Sequence, residues 1–344
     1  MKQTKSKVLL IYTGGTIGMM QDVRTGELKP FDFKSLKEQV PELNKFDIEL
    51  SSISFKDPID SSNMHPNVWI ELVQLIEKNY TKADGFVVLH GSDTMSFTAS
   101  ALSFMLENLA KPVVLTGSQL PIGIIRTDGK ENLITAIEIA GAKNKKGQPK
   151  VNEVCIYFEY KLYRGNRTFK YNSQHFDAFK SPNYPALAEA GVDINYNTSA
   201  LLKTTKKSLK IYTKLDNDIA VLKLFPGISK KITSAIINTP GIKAIILETF
   251  GAGNATTQEW FITELKNAIS KNIIILNITQ CSEGKVIQGM YETSSQLKKI
   301  GVIGGADLTF ESAITKLMFL LGQNHSHSKI KKMLQENLRG ELTK

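Results

Sequence analysis

The chain has 344 residues, of which 42% are hydrophobic and 22% are charged, as expected for a globular protein with a sizeable apolar core. Its opening apolar run and every later one are too short for a signal peptide or a membrane span, so the sequence predicts a cytoplasmic protein without a membrane partner. Cys155 and Cys281 are expected to be small buried residues rather than part of a disulfide framework.

The formal net charge of +10 raises the question of whether the protein binds nucleic acid. Lysines gather in residues 141–150, 203–210 and 329–332, which favours a basic surface of that kind. These runs contain no interleaved aromatic residues that could stack on bases. A solvated, lysine-rich face is therefore the preferred interpretation, and we expect no nucleic-acid partner.

Apolar runs rich in β-branched residues recur along the chain, and helical patterns lie between many of them. The runs that predict strands are residues 7–12, 86–90, 112–116, 153–158, 220–224, 244–249 and 273–279. The patterns that predict helices are residues 67–80, 96–109, 131–143, 256–270 and 309–322. Thr256 and Glu259 fit a capping box at the start of the fourth helix, and Gly322 fits the end of the fifth.

Near-continuous apolar strands that alternate with helices indicate an α/β protein with mostly parallel sheets flanked by helices. Residues 197–218 are polar, lysine-rich and weakly periodic, and they separate two strand–helix series. We therefore predict a larger N-terminal catalytic domain over residues 1–200, a linker over 201–218 and a smaller C-terminal domain over 219–344.

Small residues and hydroxyl groups follow several of the predicted strands. The segments are TGGTIG (13–18), GSDT (91–94), GSQLP (117–121), FGAGN (250–254) and QCSEG (280–284). Open α/β sheets bind their ligands at the carboxyl ends of parallel strands, where these segments lie. Glycines at that edge would let backbone N–H groups approach a ligand closely.

The TGGTIG turn matches no standard nucleotide-binding loop, because its glycines have the wrong spacing for a dinucleotide fingerprint and the lysine of a P-loop is missing. A plain tight turn would explain the glycines equally well. Two threonines, Thr13 and Thr16, flank them, and a second hydroxyl cluster occurs at residues 92–94. A threonine hydroxyl becomes a useful nucleophile only when a neighbouring group takes its proton.

Histidine and cysteine motifs for metal binding or catalysis do not occur in the sequence. It contains no H-E-x-x-H and no C-x-x-C, so we expect no metal and no other cofactor. Among five histidines only His90 lies at a strand end, and it is expected to be structural, hydrogen-bonded beneath the glycine turn. Activation of a hydroxyl must then come from another group, such as a lysine–aspartate pair.

Seven segments spread along the chain carry a specific combination of motifs. They are YTGGTIGM (12–19), DSSNM (60–64), VVLHGSDTM (87–95), ALSFMLENL (101–109), VLTGSQLP (114–121), LYRGNRTFK (162–170) and VIGGADLTFE (302–311). Together they resemble the bacterial type I, or cytoplasmic, L-asparaginases of the asparaginase/glutaminase family. The resemblance extends from the first predicted strand to LRGELT (338–343), and so covers nearly the whole chain.

The resemblance implies hydrolysis of the side-chain amide of L-asparagine to L-aspartate and ammonia through a threonine acyl-enzyme. Thr16 would be the nucleophile, and a second group of Ser92, Asp93 and Lys170 would position or deprotonate the attacking water. Ser92 and Asp93 would also contact the substrate, and backbone N–H groups around Ser92 and Gly15 would stabilise the oxyanion. Without the resemblance, Lys170 would be taken for a surface lysine and Asp93 equally well for a helix N-cap.

The resemblance also implies how the substrate amino acid is bound. Asp93 would hold its ammonium group, while Asp60, Ser61 and Ser62 would bind its carboxylate, although the two serines could instead merely end a turn. Asn254 matches a residue that in relatives reaches the substrate of a neighbouring subunit. The site would then need at least a homodimer, and a homotetramer is the other form to expect.

Three features near the implied site depart from the family pattern. Ser92 replaces the usual threonine, so the hydroxyl is kept but its rotamer is expected to be freer without the methyl group. Asn63 replaces an aspartate, which removes one charge near the substrate. Residues 19–31 lack the tyrosine that many relatives use to activate the nucleophile. Tyr12 lies within a strand, which leaves Tyr291 as a candidate, although most tyrosines are simply half-buried aromatic residues.

Some bacterial type I relatives have a second, effector asparagine site between subunits, with an arginine in the strand before the FG-x-GN turn. In this sequence that position is Glu248, and Phe169 replaces a small polar residue beside Lys170. Residues 279–281 are retained, but a carboxylate would repel the carboxylate of the effector. We therefore expect no operating effector site, and hyperbolic or weakly cooperative kinetics.

Two other functions remain open. One is the ammonia-generating subunit of a tRNA-dependent amidotransferase, which the basic charge supports; that relative carries an extra N-terminal module, whereas the catalytic motif here begins at Thr13. The other is a non-catalytic amino-acid sensor, which would bind asparagine without releasing ammonia. The ratio of asparaginase to glutaminase activity stays open, because one methylene changes discrimination by only about 1–3 kcal/mol.

Overall fold

The structure is a computed structural model that describes residues 5–21, 28–30, 36, 38, 40–289 and 292–343. The chain forms two compact units, residues 1–213 and 214–344. The division lies inside the segment 201–218, for which the sequence predicts a linker. Part of that segment belongs to the first unit, because Lys210–Ile211 pairs with Leu106–Glu107 in an antiparallel ribbon.

The first unit contains strands of very different length. They are β1 (Ser6–Tyr12), β2 (Met19–Gln21), β3 (Leu28–Pro30), β4 (Ile48–Ser54), β5 (Gly85–Leu89), β6 (Leu106–Glu107), β7 (Val113–Thr116), β8 (Val154–Phe158), β9 (Lys161–Arg164), β10 (Phe169–Lys170), β11 (Phe179–Lys180), β12 (Ala188–Ala190), β13 (Ile194–Tyr196) and β14 (Lys210–Ile211). The helices are α1 (Pro66–Asn79), α2 (Met95–Met105) and α3 (Gly129–Gly141). Short 3-10 turns lie at Thr16–Gly18, Pro41–Lys45, Ser61–Asn63, Ser92–Thr94 and Gly165–Arg167.

Eight strands of the described part of this unit form one sheet, in the order β13-β12-β9-β8-β7-β5-β1-β4. Strands β4, β1, β5, β7 and β8 run parallel to one another. The other three strands continue the sheet in antiparallel pairs. Strand β8 pairs with β9, β9 with β12, and β12 with β13 at the edge. The mostly parallel sheet predicted from the alternation of strands and helices is confirmed.

Burial separates the strands that the sequence predicts from those it misses. In β1, every residue from Val8 to Tyr12 is buried, as expected for a strand covered by helices on both faces. The neighbouring edge strand β4 (IELSSIS) has partly and fully exposed residues throughout, so no continuous apolar run marks it in the sequence. Its pairing with β1 over seven residue positions compensates for that weak pattern.

The register of the central strands brings their carboxyl ends to one level. Tyr12 at the end of β1 lies opposite Leu89 at the end of β5, and Leu89 lies opposite Thr116 at the end of β7. The three turns that follow these strands therefore start side by side at one edge of the sheet. This edge is where a parallel α/β sheet binds its ligands.

The second unit is a smaller α/β layer structure. Its strands are β15 (Ile219–Lys223), β16 (Ala244–Thr249), β17 (Ile274–Thr279) and β18 (Ile303–Gly304), which pair in that order and in parallel. Its helices are α4 (Lys230–Ile237), α5 (Glu259–Ser270), α6 (Glu292–Ile300), α7 (Phe310–Gly322) and α8 (His327–Leu334). Leu222, Ile245 and Ile275 of the sheet pack with Phe261 and Leu265 of α5 in its core.

Two local expectations are wrong. Helix α5 begins at Glu259 with Gln258 as its N-cap, and no side chain caps it, so Thr256 and Glu259 form no capping box. Instead, Thr256 Oγ1 accepts a hydrogen bond from the N–H of Gln258 at 3.3 Å. Cys155 is buried as expected, but Cys281 is exposed, because it lies in the turn beyond β17 rather than in the strand.

Two general properties of the described residues bear on function. Among them, no helix is both long enough and apolar enough to cross a membrane. Within the same ranges, no three histidine, cysteine, aspartate or glutamate side chains are grouped as they would be around a metal ion.

Within the second unit, a buried ion pair joins helix α7 to the C-terminal segment. Lys316 of α7 lies 2.6 Å from the Glu341 carboxylate, and both side chains are fully buried. The Lys316 ammonium also donates to the carbonyls of Leu334 and Glu336, at 3.2 and 2.6 Å. Glu341 in turn accepts from the N–H groups of residues 338 and 339. Burial lowers the pKa of Lys316, and the adjacent carboxylate opposes that shift.

Removing one partner of this pair should destabilise the second unit. Lys316→Met leaves the Glu341 carboxylate buried without its cation, which we expect to lower the free energy of unfolding by about 3–5 kcal/mol. Urea unfolding of the full chain, followed by circular dichroism, measures the change. The matched control is Lys332→Met, since the Lys332–Glu336 pair is exposed and 3.8 Å apart. That control should change stability by less than about 0.5 kcal/mol, and equal effects of the two substitutions would refute the expectation.

Candidate active site

The turn after β1 is fixed to two neighbouring segments by hydrogen bonds. Thr13 donates both its N–H and its hydroxyl to the carbonyl of Leu89, at 3.1 and 3.0 Å, and accepts from Ile59 N at 2.8 Å. Thr13 is fully buried, so its hydroxyl serves the backbone. Thr16, in contrast, begins a 3-10 turn and is only partly buried. Of the two threonines in the motif, only Thr16 is partly exposed.

The glycine pair of this turn allows a very close backbone approach. Gly14 and Gly15 have φ angles of 134° and 89°, which L side chains rarely adopt. A Cβ on Gly15 would lie 2.4 Å from Gly91 N, and one on Gly14 would lie 2.1 Å from Ile59 O. The turns after β1 and β5 therefore touch backbone to backbone. Thr16 and Ser92 each stand one residue beyond the glycines that make this contact.

The Tyr12 side chain packs against the 3-10 turn and forms a hydrogen bond with it. Its hydroxyl donates to Gly18 O at 3.1 Å, and its ring lies where a Cβ on Gly18 would be. Burial raises the pKa of Tyr12 to about 12, so the phenol keeps its proton at neutral pH. This arrangement agrees with the expectation that Tyr12 is a poor activating group. Tyr291, the other candidate, lies outside the described residues.

The DSSN segment forms a short 3-10 turn capped by its own aspartate. Asp60 Oδ1 accepts hydrogen bonds from the N–H and the hydroxyl of Ser62, at 2.9 and 2.8 Å. These two bonds lower the pKa of Asp60 and keep it ionised. Ser61 is buried against Gly91, and its carbonyl accepts from Thr94 Oγ1 at 2.7 Å. The segment thus lies directly beside the turn that carries Ser92.

The structure brings Ser92, Asp93 and Lys170 together, although the lysine is 77 or 78 residues away in sequence. Lys170 Nζ donates to Ser92 Oγ at 2.8 Å and to Asp93 Oδ1 at 2.6 Å. The Lys170 side chain is 15% exposed and that of Asp93 is 65% exposed, so the carboxylate stays open on one side while the lysine is enclosed. The N-cap of α2 is Thr94, so Asp93 does not take the helix-capping alternative.

A rigid segment carries Lys170 to this position. The Arg164 guanidinium donates to the buried Glu153 carboxylate at 2.5 Å and to Ala200 O at 2.8 Å. Gly165 packs so tightly on α2 that a Cβ would lie 2.9 Å from the Cβ of Ala99. The strand β10 with its lysine follows this anchored turn directly, so the LYRGNRTFK motif is a structural support for one side chain.

Gln119, from the GSQLP segment, also belongs to the site, and the sequence reasoning assigned it no role. Its Oε1 accepts from Ser92 Oγ at 3.1 Å, and its Nε2 donates to His175 O at 3.2 Å. The buried Asp128 carboxylate accepts from the backbone N–H groups of Gln119 and Leu120 and so fixes this turn. The sequence feature that could have indicated this role is the position of GSQLP directly after β7. Since β7 pairs with β5 and both strands end at the same level, GSQLP and Ser92 lie side by side.

His90 is structural, as expected. Its Nδ1 lies 2.7 Å from Gly91 O, which can only accept, so Nδ1 carries the proton. Its Nε2 then accepts from Thr98 Oγ1 at 2.8 Å, while Thr98 accepts from Trp69 Nε1 at 3.0 Å. Complete burial lowers the pKa of His90 to about 4 and keeps the ring neutral. The expected hydrogen bond beneath the glycine turn is confirmed.

Asn254 lies in the second unit, in the turn after β16. Its backbone N–H donates to Phe250 O and its carbonyl accepts from Phe250 N, at 2.8 and 2.9 Å, which closes a tight FGAGN loop. The residues gathered around Ser92 all belong to the first unit. The contact of Asn254 with the substrate of a neighbouring copy stays a prediction.

Glu248, the residue at the predicted effector position, lies in the second unit near a lysine and a second glutamate. The Glu248 side chain is 13% exposed and lies 3.8 Å from Lys223. Burial, with Glu248 adding to it, raises the pKa of nearby Glu311 to about 7. The Gln280 amide donates to the carbonyls of Leu224 and Glu248, so it serves the backbone.

Two family models match the two units in turn. Residues 7–202 match the N-terminal asparaginase domain, and residues 218–334 match the glutaminase/asparaginase C-terminal domain. Together these matches cover most of the chain and leave the boundary segment between them.

Individual relatives extend the comparison to the whole length. L-asparaginase 1 of Escherichia coli strain K12 is 41% identical over 340 residues, which are 98% of both chains. A glutamyl-tRNA(Gln) amidotransferase subunit of Pyrococcus abyssi is 32% identical over 98% of this chain and 77% of its own length. The crystal structure of L-asparaginase I from Vibrio cholerae superposes with a TM-score of 0.90 at 38% identity, covering 98% of this chain and 99% of that one. The chain therefore belongs to the asparaginase/glutaminase family.

Proposed function

We propose that this protein hydrolyses the side-chain amide of L-asparagine to L-aspartate and ammonia, with Thr16 as nucleophile and without a metal or organic cofactor. The observation that carries the proposal is the double contact of Lys170 with Ser92 and Asp93, one residue from the backbone contact between Gly15 and Gly91. The hydroxyls of Thr16 and Ser92, the Lys170 ammonium and the exposed Asp93 carboxylate thus belong to one edge of the sheet. L-asparaginases are also among the relatives that match the full length.

In the first half of the reaction, the Thr16 oxygen bonds to the side-chain carbonyl carbon of asparagine. The carbon–nitrogen bond then breaks, and the proton of the Thr16 hydroxyl leaves with the nitrogen as ammonia. The negative charge that develops on the carbonyl oxygen needs nearby donors. We assign this role to the backbone N–H groups around Gly15 and Ser92, which lie on the two turns whose backbones meet at Gly15 and Gly91.

In the second half, water attacks the aspartyl ester, and its proton returns to the Thr16 oxygen as that bond breaks. Ser92 is suited to position the water. Its hydroxyl has one proton and two lone pairs, and only one lone pair is taken by Lys170. The remaining lone pair can accept a hydrogen bond from the water, which orients it and polarises its O–H bond while the transferred proton goes to the Thr16 oxygen.

Substrate binding is proposed to use the exposed groups around this centre. Asp93 is open to solvent beyond Lys170 and would hold the ammonium group of asparagine. Ser61 and Ser62 would bind its carboxylate through backbone N–H and hydroxyl donors, with Asp60 fixing their turn through the two bonds from Ser62. Asn254 of a neighbouring copy would complete the site, so we propose a homodimer or homotetramer.

We also propose that the protein works in the cytoplasm. The apolar run that opens the chain forms β1, a strand in the interior of the sheet whose last five residues are buried. The proposal is supported by a solved structure of a probable cytoplasmic L-asparaginase from Campylobacter jejuni, which covers 97% of this chain and 100% of its own at 25% identity with a TM-score of 0.78.

Ammonia release by a small set of variants tests this function. Thr16→Ala should lower the rate with asparagine by about 10³-fold or more, because the nucleophile is lost. Lys170→Met should lower it by about 10²–10⁴-fold, the range for a misplaced acid–base group. The measurement compares wild type and variants with asparagine and with glutamine, and records the oligomeric mass of each sample.

The matched control is Lys180→Met, since Lys180 lies on β11 opposite Phe169 of β10, is exposed, and places its ammonium over the Tyr171 ring. It should retain full activity. Full activity of Thr16→Ala would contradict the proposed nucleophile. Binding of asparagine without any ammonia release would indicate a sensor, and release only in the presence of a misacylated tRNA would indicate an amidotransferase subunit.

The dependence of rate on asparagine concentration should be hyperbolic or only weakly cooperative. Glu248 at the effector position would repel a second asparagine carboxylate, and the Gln280 amide is already bonded to two carbonyls. Initial rates over a wide range of asparagine concentration give the shape of the curve. Glu248→Gln serves as a comparison: it removes the repulsion but supplies no cation for an effector carboxylate, so the curve should keep its shape. A clearly sigmoidal curve for the wild type would contradict this expectation.

A further inference from the structure

The Ser92 hydroxyl has a defined direction in the structure. It donates its single proton to Gln119 Oε1 at 3.1 Å and accepts from Lys170 Nζ at 2.8 Å. The absence of a γ-methyl group predicts a freer rotamer for serine than for threonine. The observed hydroxyl differs from that expectation, because partners on two different segments hold both its donor and one of its acceptor positions.

The orientation of the Gln119 amide is fixed in turn. Its Nε2 donates to the carbonyl of His175 at 3.2 Å. A flipped amide would place its oxygen against that carbonyl oxygen and its NH₂ group against Ser92, which already accepts from Lys170. The backbone of Gln119 is held as well, since its N–H lies 2.9 and 3.1 Å from the two oxygens of Asp128.

Asp128 itself is part of a buried network. It is 5% exposed, and it also accepts from Leu120 N at 3.1 Å and from Asn132 Nδ2 at 3.3 Å. Asn132 donates to Gly117 O at 3.1 Å, which ties the whole turn to α3. Gln119 therefore stands on a rigid support at the sheet edge and extends from it towards Ser92.

We propose that Gln119 is a positioning residue that fixes the Ser92 hydroxyl and replaces the restraint that a threonine methyl group would supply. By accepting the hydrogen bond from the Ser92 hydroxyl, Gln119 leaves one lone pair of that hydroxyl free for the attacking water. This inference rests on the proposed function, in which Ser92 positions that water. Gln119 acts through Ser92, so its loss should lower kcat and leave KM nearly unchanged.

The test is a set of Gln119→Leu variants in three backgrounds, with ammonia release from asparagine as the readout. In the wild-type background Gln119→Leu should lower kcat about tenfold, the factor that corresponds to one net hydrogen bond. In the Ser92→Thr background, Gln119→Leu should lower kcat by less than about threefold relative to Ser92→Thr alone, because the methyl group restrains the hydroxyl. In the Ser92→Ala background Gln119→Leu should have no further effect.

Two controls separate positioning from folding. Gln119→Ser removes the amide without adding apolar surface and should reproduce the kcat loss, with the thermal unfolding midpoint measured for both variants. Gln174→Leu, at an exposed residue of the segment that Gln119 contacts, should behave as wild type. KM within about twofold of wild type, together with reduced kcat, is the expected result for Gln119→Leu.

An equal loss in all three backgrounds, or a raised KM with unchanged kcat, would overturn this role. Full activity of Gln119→Leu in an active wild-type protein whose Thr16→Ala variant is inactive would overturn it and leave the proposed function intact. A wild-type protein that releases no ammonia from asparagine would refute the proposed function, and this inference with it.

Discussion

The backbone contact between the turns after β1 and β5 is the constraint on which the rest of the site depends. A Cβ on Gly15 would lie 2.4 Å from Gly91 N, so the backbones of the two turns meet without any side chain between them. Parallel strands that end at the same level bring these turns side by side, and the left-handed φ of Gly15 allows the final approach. Because Thr16 and Ser92 follow these glycines directly, their separation is set by the backbone.

Around this contact, polar groups are held by supports that differ in kind. Lys170 depends on a buried arginine–glutamate pair and on tight packing of Gly165 against α2. Gln119 depends on a buried carboxylate that binds its backbone N–H. Both supports lie outside the reacting groups, yet they determine where the lysine ammonium and the Ser92 proton point. In this way a hydroxyl, a cation and a carboxylate are brought to one place at the sheet edge.

The sequence predicts the parts of this structure that rest on burial patterns. Central strands such as β1 and β5 are apolar on both faces, and their order fixes the mostly parallel sheet. The edge strand β4 is not predicted, because its residues are partly or fully exposed and form no apolar run. Motif position places Thr16 and Ser92 at the sheet edge, whereas the contact of Lys170 with Ser92 follows only from the family resemblance. The role of Gln119 depends on rotamers and a network around Asp128, which no spacing in the sequence encodes.

The most direct test of the account compares Gly15→Ala with Gly227→Ala, followed by ammonia release from asparagine. The two glycines have nearly the same φ, 89° and 88°, but a Cβ on Gly227 meets nothing within 4 Å. The φ angles are thus matched, whereas only a Cβ at Gly15 would meet the opposite turn. The account predicts a loss of about 10²-fold or more for Gly15→Ala, because displaced hydroxyls no longer meet the substrate, and near wild-type activity for Gly227→Ala. Full activity of a folded Gly15→Ala protein would contradict it.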